Sequence, residues 1–307
     1  MKTLVTGGAG FIGSHIAEAL LAQGHEVVVL DDLSRGHERN VPSKARLEKL
    51  DINTPAAEAF IAAYVPEAIF HHAAQMDVRV SVKDPVFDSQ VNVTGTVRLL
   101  HAAATAGTRT FIFASTGGAI YGEQERFPAD ESHPARAESP YGISKRCGEL
   151  YLDYFARTRG LRTVALRYAN VYGPRQDPHG EAGVVAIFAE RMLQNRTPTI
   201  FGDGEQTRDY VYVGDVVQAN LKALATPTAT GAYNIGTGVE TSVNTLASAI
   251  AKAAHYDGDI VHAEGKPGEQ RRSVIDAGRA KRELGWAPTM PLDQGIAATV
   301  KYFATKR

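Results

Sequence analysis

The stretch Thr6-Gly-Gly-Ala-Gly-Phe-Ile-Gly13 (TGGAGFIG) decides how the fold begins, because it joins a predicted buried strand to a predicted helix. The apolar run 2–6 precedes it, apolar residues recur at helical spacing after it, and Gly24 ends the helix. Glycines let a backbone turn sharply beside a diphosphate, and a helix N-terminus offers free N–H groups and a positive dipole end. Taken alone, the glycines fit any tight turn. Between a strand and a helix they predict a dinucleotide site.

Two adjacent carboxylates follow the second predicted strand, 25–30. Asp31 and Asp32 lie where a carboxylate binds the adenosine ribose in a strand–turn–helix unit of this kind. Because a carboxylate repels a ribose phosphate, the pair favours NAD over NADP, although Arg35 close by would suit the phosphate. The expected cofactor is NAD.

Strands and helices alternate through the first half of the chain. Further strands are predicted at 47–52, 68–72, 109–115 and 162–168, and helices at 91–106 and 140–158. This alternation requires crossover connections, which place the strands in a parallel sheet with helices on both faces. The sequence therefore predicts an α/β protein.

After about Tyr172 the pattern is looser. Its recognisable pieces are loop-like stretches at 173–183 and 201–208, a strand at 232–236 and a helix at 243–254. We expect a cofactor-binding domain over 1–172 and a smaller C-terminal domain over 173–307. A strand from about 209–240 is expected to return to the large sheet.

The composition narrows the class of protein. Of 307 residues, 44% are hydrophobic and 22% are charged, which is typical of a soluble globular protein with a sizeable core. The net charge of −1 gives no reason to expect a nucleic-acid or membrane partner. The one cysteine, Cys147, suits a reducing compartment, and the N-terminus reaches glycine too soon for a signal peptide. We expect a cytoplasmic protein and predict no metal site.

The stretch Ser139-Pro-Tyr-Gly-Ile-Ser-Lys145 (SPYGISK) predicts a helix start that carries chemistry. Serine at the N-cap and proline at the first helical position begin a helix cleanly. Tyr141 and Lys145 then share one face, where an ammonium stabilises a phenolate and lowers the phenol pKa from about 10. Such a tyrosine exchanges a proton with an alcohol near neutral pH. On an isolated helix, the pair would be a partly buried aromatic with a solvated lysine.

The stretch Phe113-Ala-Ser-Thr-Gly-Gly-Ala-Ile-Tyr-Gly122 places Ser115 and Thr116 at a strand end, where open parallel sheets bind ligands. The glycine turn, this strand end and YGISK, in this order, resemble the extended short-chain dehydrogenase/reductase family over essentially the whole chain. The resemblance implies a Rossmann domain, a smaller substrate domain, and an active site of Thr116, Tyr141 and Lys145. The chain has one more residue between these hydroxyls and the next tyrosine than many relatives have, which makes Thr116 the expected catalytic hydroxyl and Ser115 the alternative.

The same resemblance implies the residues that hold NAD. Asp51 and Ile52, in LDI, correspond to a pair that contacts adenine, and Ala73 and Ala74, in HHAAQ, to small residues beneath the cofactor. Asn92, in NVTGT, corresponds to an asparagine that ties a helix to a strand, although a helix cap or surface residue would look the same. The expected cofactor residues are Gly7, Gly10, Phe11, Ile12, Gly13, Asp31, Asp32, Asp51, Ile52, Ala73, Ala74, Asn92, Tyr141, Lys145 and Tyr168.

Stretches in the second half are similar to the nucleotide-sugar branch of this family. Asn170, in RYANVYGP, matches an asparagine that holds substrate phosphates, and Arg208, in QTRDYV, matches an arginine that pairs with a diphosphate oxygen. The segment 268–276 resembles one that supplies a carboxylate and a further arginine for the nucleoside, with Arg271 as the alternative to Arg272. The expected substrate residues are Thr116, Tyr141, Asn170, Arg208, Tyr210, Glu269, Arg272 and Ser273.

The residues after the hydroxyls bear on the reaction. Relatives that remove water or carbon dioxide carry acidic residues there, whereas this chain has Gly117 and Gly118. The resemblance therefore implies 4-epimerisation of a UDP-hexose, in which Tyr141 takes the proton of the 4-hydroxyl and NAD carries the hydride. The keto-sugar would turn about its diphosphate link and take hydride back on its other face. Ser273, in place of a larger tyrosine, would leave room for an N-acetyl group.

Other interpretations stay open at this point. A UDP-glucuronate 4-epimerase would use nearly the same residues, with Arg79 available to the carboxylate. A nucleotide-sugar reductase or dehydrogenase would exchange its NAD(P), and a non-catalytic sensor would not need the Thr-Tyr-Lys set. The family packs a two-fold dimer through helices corresponding to 91–106 and 140–158, so a homodimer is expected. The apolar residues that would supply this surface, or an internal core, are Leu99, Leu100, Leu150 and Tyr154.

Overall fold

Seven parallel strands form the central sheet of the computed structural model, which describes residues 1–179, 183–265 and 270–306. Numbered in chain order, they are β1 (Lys2–Thr6), β2 (Glu26–Leu30), β3 (Arg46–Glu48), β4 (Ala68–His71), β5 (Thr110–Thr116), β6 (Arg162–Tyr168) and β10 (Gly231–Ile235). They lie side by side in the order β10-β6-β5-β4-β1-β2-β3. The direction of winding reverses between β1 and β4, as in a Rossmann sheet, and the predicted α/β class is confirmed.

Helices cover both faces of this sheet, because successive residues of a strand point to opposite sides. The helices that pack on it include α1 (Phe11–Ala22), α2 (Pro55–Tyr64), α5 (Gly95–Ala106), α6 (Pro140–Arg159) and α8 (Val213–Ala225). Val5 is buried in one core with Ile16 of α1 and Val216 of α8. Its neighbour Leu4 is buried in a second core with residues of α2, α5 and α6. The glycine turn after β1 is therefore held at the middle of the sheet.

Short helical turns connect β4 to α5 beside the ends of the strands. They are α3 (Val78–Lys83), α4 (Pro85–Ser89) and a π-helical turn over Gln90–Thr94 that runs into α5. A 3₁₀ turn covers Glu38–Asn40 after β2. π-Helical turns are rare and frequently lie at functional sites, and this one contains Asn92.

The C-terminal residues build a smaller third core. Its strands are β7 (Asn170–Tyr172), β8 (Thr199–Phe201), β9 (Thr207–Tyr212), β11 (Glu240–Ser242), β12 (Val261–Ala263) and β13 (Arg272–Ser273). Its helices are α7 (Val184–Leu193), α9 (Val243–Ala254) and α11 (Leu292–Thr305), while α10 (Gly278–Leu284) packs on the large sheet. β9 pairs with β7, β11 and β13, and β8 pairs with β12. β10 and α8 pack with the large sheet although they follow β7 in the chain.

The observed elements differ from the predicted ones at short strands. The strand predicted at 47–52 spans only Arg46–Glu48, so Asp51 and Ile52 follow it. The predicted loop 201–208 includes the last residue of β8 and the first two residues of β9, and part of the predicted loop 173–183, residues 180–182, lies outside the described residues. Pairing with neighbouring strands, more than residue type, decides where short strands begin and end.

The two helices expected at a dimer interface differ in which apolar residues they expose. Leu99 and Leu100 of α5 are fully buried, so for these two the internal-core interpretation is correct. Leu150 and Tyr154 of α6 are 54% and 47% exposed. None of the helices in the described ranges has the length and apolar character needed to cross a lipid bilayer.

Candidate active site

The glycine turn brings β1, α1 and the end of β4 into close contact. Gly7 has a φ of +68°, and a Cβ there would lie 2.5 Å from a backbone nitrogen after β4. A Cβ on Gly13 would lie 2.3 Å from the carbonyl oxygen of Gly7. No side chain caps α1, whose N-cap is Gly10 and whose first residues are Phe11 and Ile12. The turn therefore offers space and backbone N–H groups to a diphosphate, and it fits NAD.

Asp31 and Asp32 lie beside the glycine turn at the end of β2. The buried Asp31 carboxylate accepts hydrogen bonds of 2.9 Å from the N–H groups of Ala9 and Leu33. Burial raises the pKa of Asp31, and these two hydrogen bonds oppose the rise. Asp32 is exposed, and its Oδ1 accepts from the N–H and the hydroxyl of Ser34. One carboxylate thus shapes the turn and the other faces solvent, and both keep lone pairs for ribose hydroxyls.

Small residues follow β4 beside the glycine turn. Ala73 and Ala74 are partly exposed, and the N–H of Ala73 donates to Oγ1 of Thr6 at 3.3 Å. Behind them Asn92 is 2% exposed. Its Oδ1 accepts from the N–H of Gln75 at 2.9 Å, and its Nδ2 donates to the carbonyl of Gln75 at 2.8 Å. Asn92 therefore ties the π-helical turn to the loop after β4 and shapes the site through that loop.

Three other predicted cofactor residues have contrasting surroundings. Asp51 is exposed after β3, whereas Ile52 is buried in the second core. Tyr168 is buried, with its hydroxyl 3.0 Å from Nε2 of His72 and accepting from Nδ2 of Asn220 at 2.8 Å. Of the three side chains, that of Asp51 is open to solvent, while the other two lie inside the protein.

α6 begins as the sequence predicts. The Ser139 hydroxyl accepts from the N–H of Gly142 at 3.2 Å, and proline occupies the first helical position. Nζ of Lys145 lies 5.8 Å from the centre of the Tyr141 ring, and Lys145 is 3% exposed. Burial lowers the pKa of Lys145 to about 8, and the negative charge of Asp88 opposes this. Lys145 is therefore a buried cation beside the phenol. Its ammonium group loses its proton slightly above neutral pH.

The two hydroxyls at the end of β5 have different partners. Oγ of Ser115 is buried and donates to a glutamate carboxylate of α6 at 2.7 Å. Oγ1 of Thr116 accepts from the N–H of Ala119 at 3.2 Å. A Cβ on Gly142 would lie 2.6 Å from the carbonyl oxygen of Ala119, so the turn after Thr116 abuts the residue next to Tyr141. This geometry favours Thr116 over Ser115 as the hydroxyl that acts with Tyr141.

The two glycines after Thr116 have unequal space around them. A Cβ on Gly118 would lie 3.5 Å from Oδ1 of Asn170 and 4.0 Å from Oγ1 of Thr116. Gly118 therefore borders the same space as both residues. Gly117 is buried, and a Cβ there would lie 2.7 Å from the side chain of Ile275. An acidic side chain would fit at position 118, but the chain does not supply one.

β9 brings together predicted substrate residues that are distant in sequence. Its pairing with β7 places Asn170 opposite Tyr210. Its pairing with β13 places Ser273 opposite Arg208. Asn170 is exposed at the start of β7, and Ser273 is 3% exposed. Five of the predicted substrate residues therefore share one small sheet, since Arg272 is also in β13. This sheet reaches Gly118 through Asn170.

The two candidate arginines before Ser273 are engaged with carboxylates. The Arg272 guanidinium forms hydrogen bonds of 3.0 and 2.6 Å with the carboxylate of Glu240. The alternative, Arg271, forms hydrogen bonds of 2.8 and 2.9 Å with Asp203. Either arginine would have to exchange its carboxylate partner for a substrate oxygen in order to bind a nucleotide. Glu269 lies outside the described residues.

Glu149 of α6 lies behind the site and was not among the predicted residues. It is buried four residues after Lys145, and its carboxylate binds Arg167 through two hydrogen bonds of 2.8 and 2.7 Å. A lysine and a glutamate four residues apart usually form an exposed pair on a helix. The available signal was that Glu149 continues the helix face that carries Tyr141 and Lys145.

The fold and the site together define a class of enzyme: a Rossmann-type, NAD-dependent short-chain dehydrogenase/reductase with a tyrosine–lysine pair beside a strand-end hydroxyl. Within that class, the chain belongs to the NAD dependent epimerase/dehydratase family, whose model matches residues 3–236.

Relatives match the chain along its whole length. The UDP-glucose 4-epimerase of Mycolicibacterium smegmatis is 48% identical over 100% of this chain and 99% of its own. The structure of UDP-glucose 4-epimerase with UDP-glucose from Thermotoga maritima has a TM-score of 0.97 at 47% identity, covering 100% of this chain and 99% of that one. The Thermus thermophilus UDP-glucose 4-epimerase in complex with NAD has a TM-score of 0.93 at 46% identity, covering 99% of both chains.

Proposed function

We propose that this protein is an NAD-dependent 4-epimerase that interconverts UDP-glucose and UDP-galactose. The observation that carries this proposal is the grouping of Thr116, Tyr141 and Lys145 around the end of β5, with glycine at 117 and 118. This group can exchange a proton at one hydroxyl, but no side chain at 117 or 118 can protonate a leaving hydroxyl on another carbon. The full-length likeness to UDP-glucose 4-epimerases supports the same reaction.

In the proposed mechanism, Tyr141 as phenolate takes the proton of the sugar 4-hydroxyl, and the Thr116 hydroxyl donates a hydrogen bond to the same oxygen. The Lys145 ammonium stabilises the phenolate. When the proton returns from Tyr141 to the oxygen, the tyrosine has the form in which it began. When held at the glycine turn, NAD would supply the reversible hydride acceptor for carbon 4, and it would not be consumed.

Two parts of the chain divide the binding. Residues 1–172 hold NAD through the glycine turn, the carboxylates after β2 and the small residues after β4. The sheet around β9 holds the nucleotide through Asn170, Arg208 and Tyr210. Its strands lie within 173–307, except β7, which belongs to residues 1–172. The hexose must turn between the two hydride transfers while the nucleotide stays fixed. Binding is therefore concentrated on the UDP group.

The proposal is tested by incubating the purified protein with UDP-galactose, without added NAD, and following the anomeric protons by NMR. Conversion to UDP-glucose would establish a 4-epimerase that retains its cofactor. A reaction that needs added NAD(P)H and forms a reduced sugar would instead identify a reductase. No conversion, with or without NAD, would reject the epimerase.

The substrate range depends on the wall beside the sugar. Ser273 is buried next to Arg208, and as a small residue there it would admit an N-acetyl group. We therefore propose that UDP-N-acetylgalactosamine is also epimerised, which the same NMR assay measures. UDP-glucuronate is the alternative, but the side chain of Arg79 is 63% exposed and forms an ion pair of 3.0 Å with Asp77. An arginine so engaged gives that alternative no added support.

We expect kcat to fall as the pH rises through about 8. Burial lowers the pKa of Lys145 to about 8 from its ordinary 10.5. Above that pH the phenolate of Tyr141 loses its neighbouring positive charge. In the unfolded chain Lys145 keeps its proton up to its ordinary pKa of 10.5. Between about pH 8 and pH 10.5 the unfolded state therefore binds more protons than the folded state, and the free energy of unfolding rises with pH. Initial rates from pH 6 to 10, with unfolding temperatures at each pH, measure both effects. A rate constant that stays level to pH 10 would contradict this role.

Thr116→Val should lower kcat by about a hundredfold, because it removes the hydrogen bond to the reacting oxygen and keeps the side-chain shape. Ser115→Ala is the comparison variant. The Ser115 hydroxyl donates to a carboxylate inside the protein, so its loss should lower kcat by less than the loss of the Thr116 hydroxyl, through the packing of β5 alone. Steady-state rates with UDP-galactose should rank Ser115→Ala well above Thr116→Val. The reverse order would make Ser115 the catalytic hydroxyl.

A cytoplasmic homodimer is part of the same proposal. Leu150 and Tyr154 expose apolar surface on α6, and Val97, His101 and Tyr151 line a groove between α5 and α6. Such a surface suits a second copy of the chain packed as a four-helix bundle. The single cysteine suits the reducing cytoplasm, which cell fractionation tests.

Leu150→Glu should convert the dimer to a monomer, because it places a charge in an apolar contact. Light scattering after size-exclusion chromatography measures the mass. Val239→Glu, which adds the same charge at a residue that is 60% exposed outside α5 and α6, should leave the mass unchanged. A monomeric wild type would reject the dimer.

A further inference from the structure

A buried ion pair joins α6 to the strands beside the active site. The side chains of Glu149 and Arg167 are 4% and 5% exposed. Nε of Arg167 donates to Oε1 of Glu149 at 2.8 Å, and Nη2 donates to Oε2 at 2.7 Å. Oγ of Ser115 also donates to Oε1, at 2.7 Å. Arg146, which is partly exposed, donates to Oε2 at 2.9 Å. Both carboxylate oxygens are thus fully engaged.

The partners of this carboxylate are the immediate neighbours of reacting groups. Ser115 precedes Thr116 in β5, and Glu149 follows Tyr141 and Lys145 along one face of α6. The Glu149–Ser115 bond therefore joins the helix that carries the base to the strand that carries the second hydroxyl. A shift of either element would change the separation of the groups that must share one substrate oxygen.

Arg167 is itself held from its other side. Its Nη1 donates to the hydroxyl of the buried Tyr121 at 2.9 Å, and that hydroxyl donates to Oδ1 of Asn234 at 2.6 Å. Nδ2 of Asn234 donates to the carbonyl groups of Ala129 and Asp276 at 3.0 and 3.1 Å. The anchor for Glu149 therefore extends through β6 and β10 to the segment that follows β13.

Stability alone does not account for this arrangement. Burial alone would raise the pKa of Glu149, but the hydrogen bonds and charge of Arg167 and the bond from Ser115 hold it below its ordinary value. A buried ion pair is nevertheless often no more stabilising than apolar residues of similar size, because both charges lose their hydration. What the charged pair supplies and apolar residues do not is direction, since its hydrogen bonds fix the angle and distance between helix and strand.

We infer that Glu149 is a positioning residue that sets the geometry of Tyr141 and Lys145 relative to Thr116, with Arg167 as its fixed anchor. This inference rests on the proposed epimerase function, because its effect is read from the rate of that reaction. A displacement of about 1 Å at reacting groups can cost as much as a hundredfold in rate, without loss of binding.

The test replaces the whole pair with apolar side chains in S115A/E149M/R167M, so that no buried charge is left unpaired. We expect an unfolding temperature within about 3 °C of wild type or above it. We expect the KM for UDP-galactose to stay within about twofold and kcat to fall at least about tenfold. The NAD that remains bound per chain should not change. A kcat within about twofold of wild type in this stable variant would overturn the inference.

If the triple variant does not fold, E149Q decides, with R157A as the matched control that removes an arginine from an exposed ion pair on the same helix. E149Q should lower kcat at least about tenfold at unchanged KM, and R157A should remain within about twofold of wild type. Equal rates for E149Q and wild type would overturn the inference, as would a loss that follows KM alone. A wild-type protein without epimerase activity would instead reject the proposed function.

Discussion

Tyr141→Phe is expected to lower kcat for 4-epimerisation by at least about a hundredfold. The change removes the one oxygen that takes the proton of the 4-hydroxyl and leaves the ring in place. The fold should be kept, because α6 is capped by Ser139 and fixed by Glu149, neither of which depends on the phenol oxygen. Rates with UDP-galactose, bound NAD per chain and the unfolding temperature should be measured together. The rates should fall, while the bound NAD and the unfolding temperature should stay near wild type.

The matched control is Tyr154→Phe, which removes a hydroxyl from the same helix at a residue that is 47% exposed. It should leave kcat close to wild type. If Tyr141→Phe proved as active as this control, the phenol would not be the base and the assignment of the site would fail. If both variants lost activity together with their fold, the stability of α6 would depend on these hydroxyls more than its contacts indicate.

Gly13→Ala is expected to remove bound NAD and to destabilise the fold. A Cβ there would lie 2.3 Å from the carbonyl oxygen of Gly7, so either α1 or the turn must move. Overpacking of this kind typically costs about 1–3 kcal/mol. The movement also displaces the backbone N–H groups that face the diphosphate. NAD released from the denatured protein and the free energy of unfolding in urea measure the two effects.

Gly24→Ala separates this close approach from backbone strain. Gly24 has a φ of +78°, but a Cβ there would meet nothing within 4 Å. An alanine should cost about 1 kcal/mol through the left-handed backbone alone and should leave bound NAD unchanged. Full NAD content in Gly13→Ala would show that the turn does not hold the cofactor as proposed. Equal loss of NAD in both variants would point to general instability.

The local elements of the fold were predictable because short-range physics sets them. The turn after β1 needs glycine for its backbone, and Ser139 caps α6 through its own hydroxyl. β1 and β6 lie at the predicted residues because continuous apolar runs between turns have few other solutions. The predicted bounds were less accurate at β3 and at the start of β9, since a short strand exists only when its neighbours pair with it.

The sequence by itself determined the class of the fold, the cofactor turn and the tyrosine–lysine pair, because each depends on residue type and spacing within one or two elements. Only the tertiary structure decided the partners of side chains that are distant in sequence. In the folded chain the Ser115 hydroxyl donates to Glu149, whereas Thr116 lies beside the start of α6. The Arg272 guanidinium likewise donates a hydrogen bond to the carboxylate of Glu240. Hydrogen bonds and burial across elements depend on how the sheets and helices pack, and spacing along the chain does not contain that information.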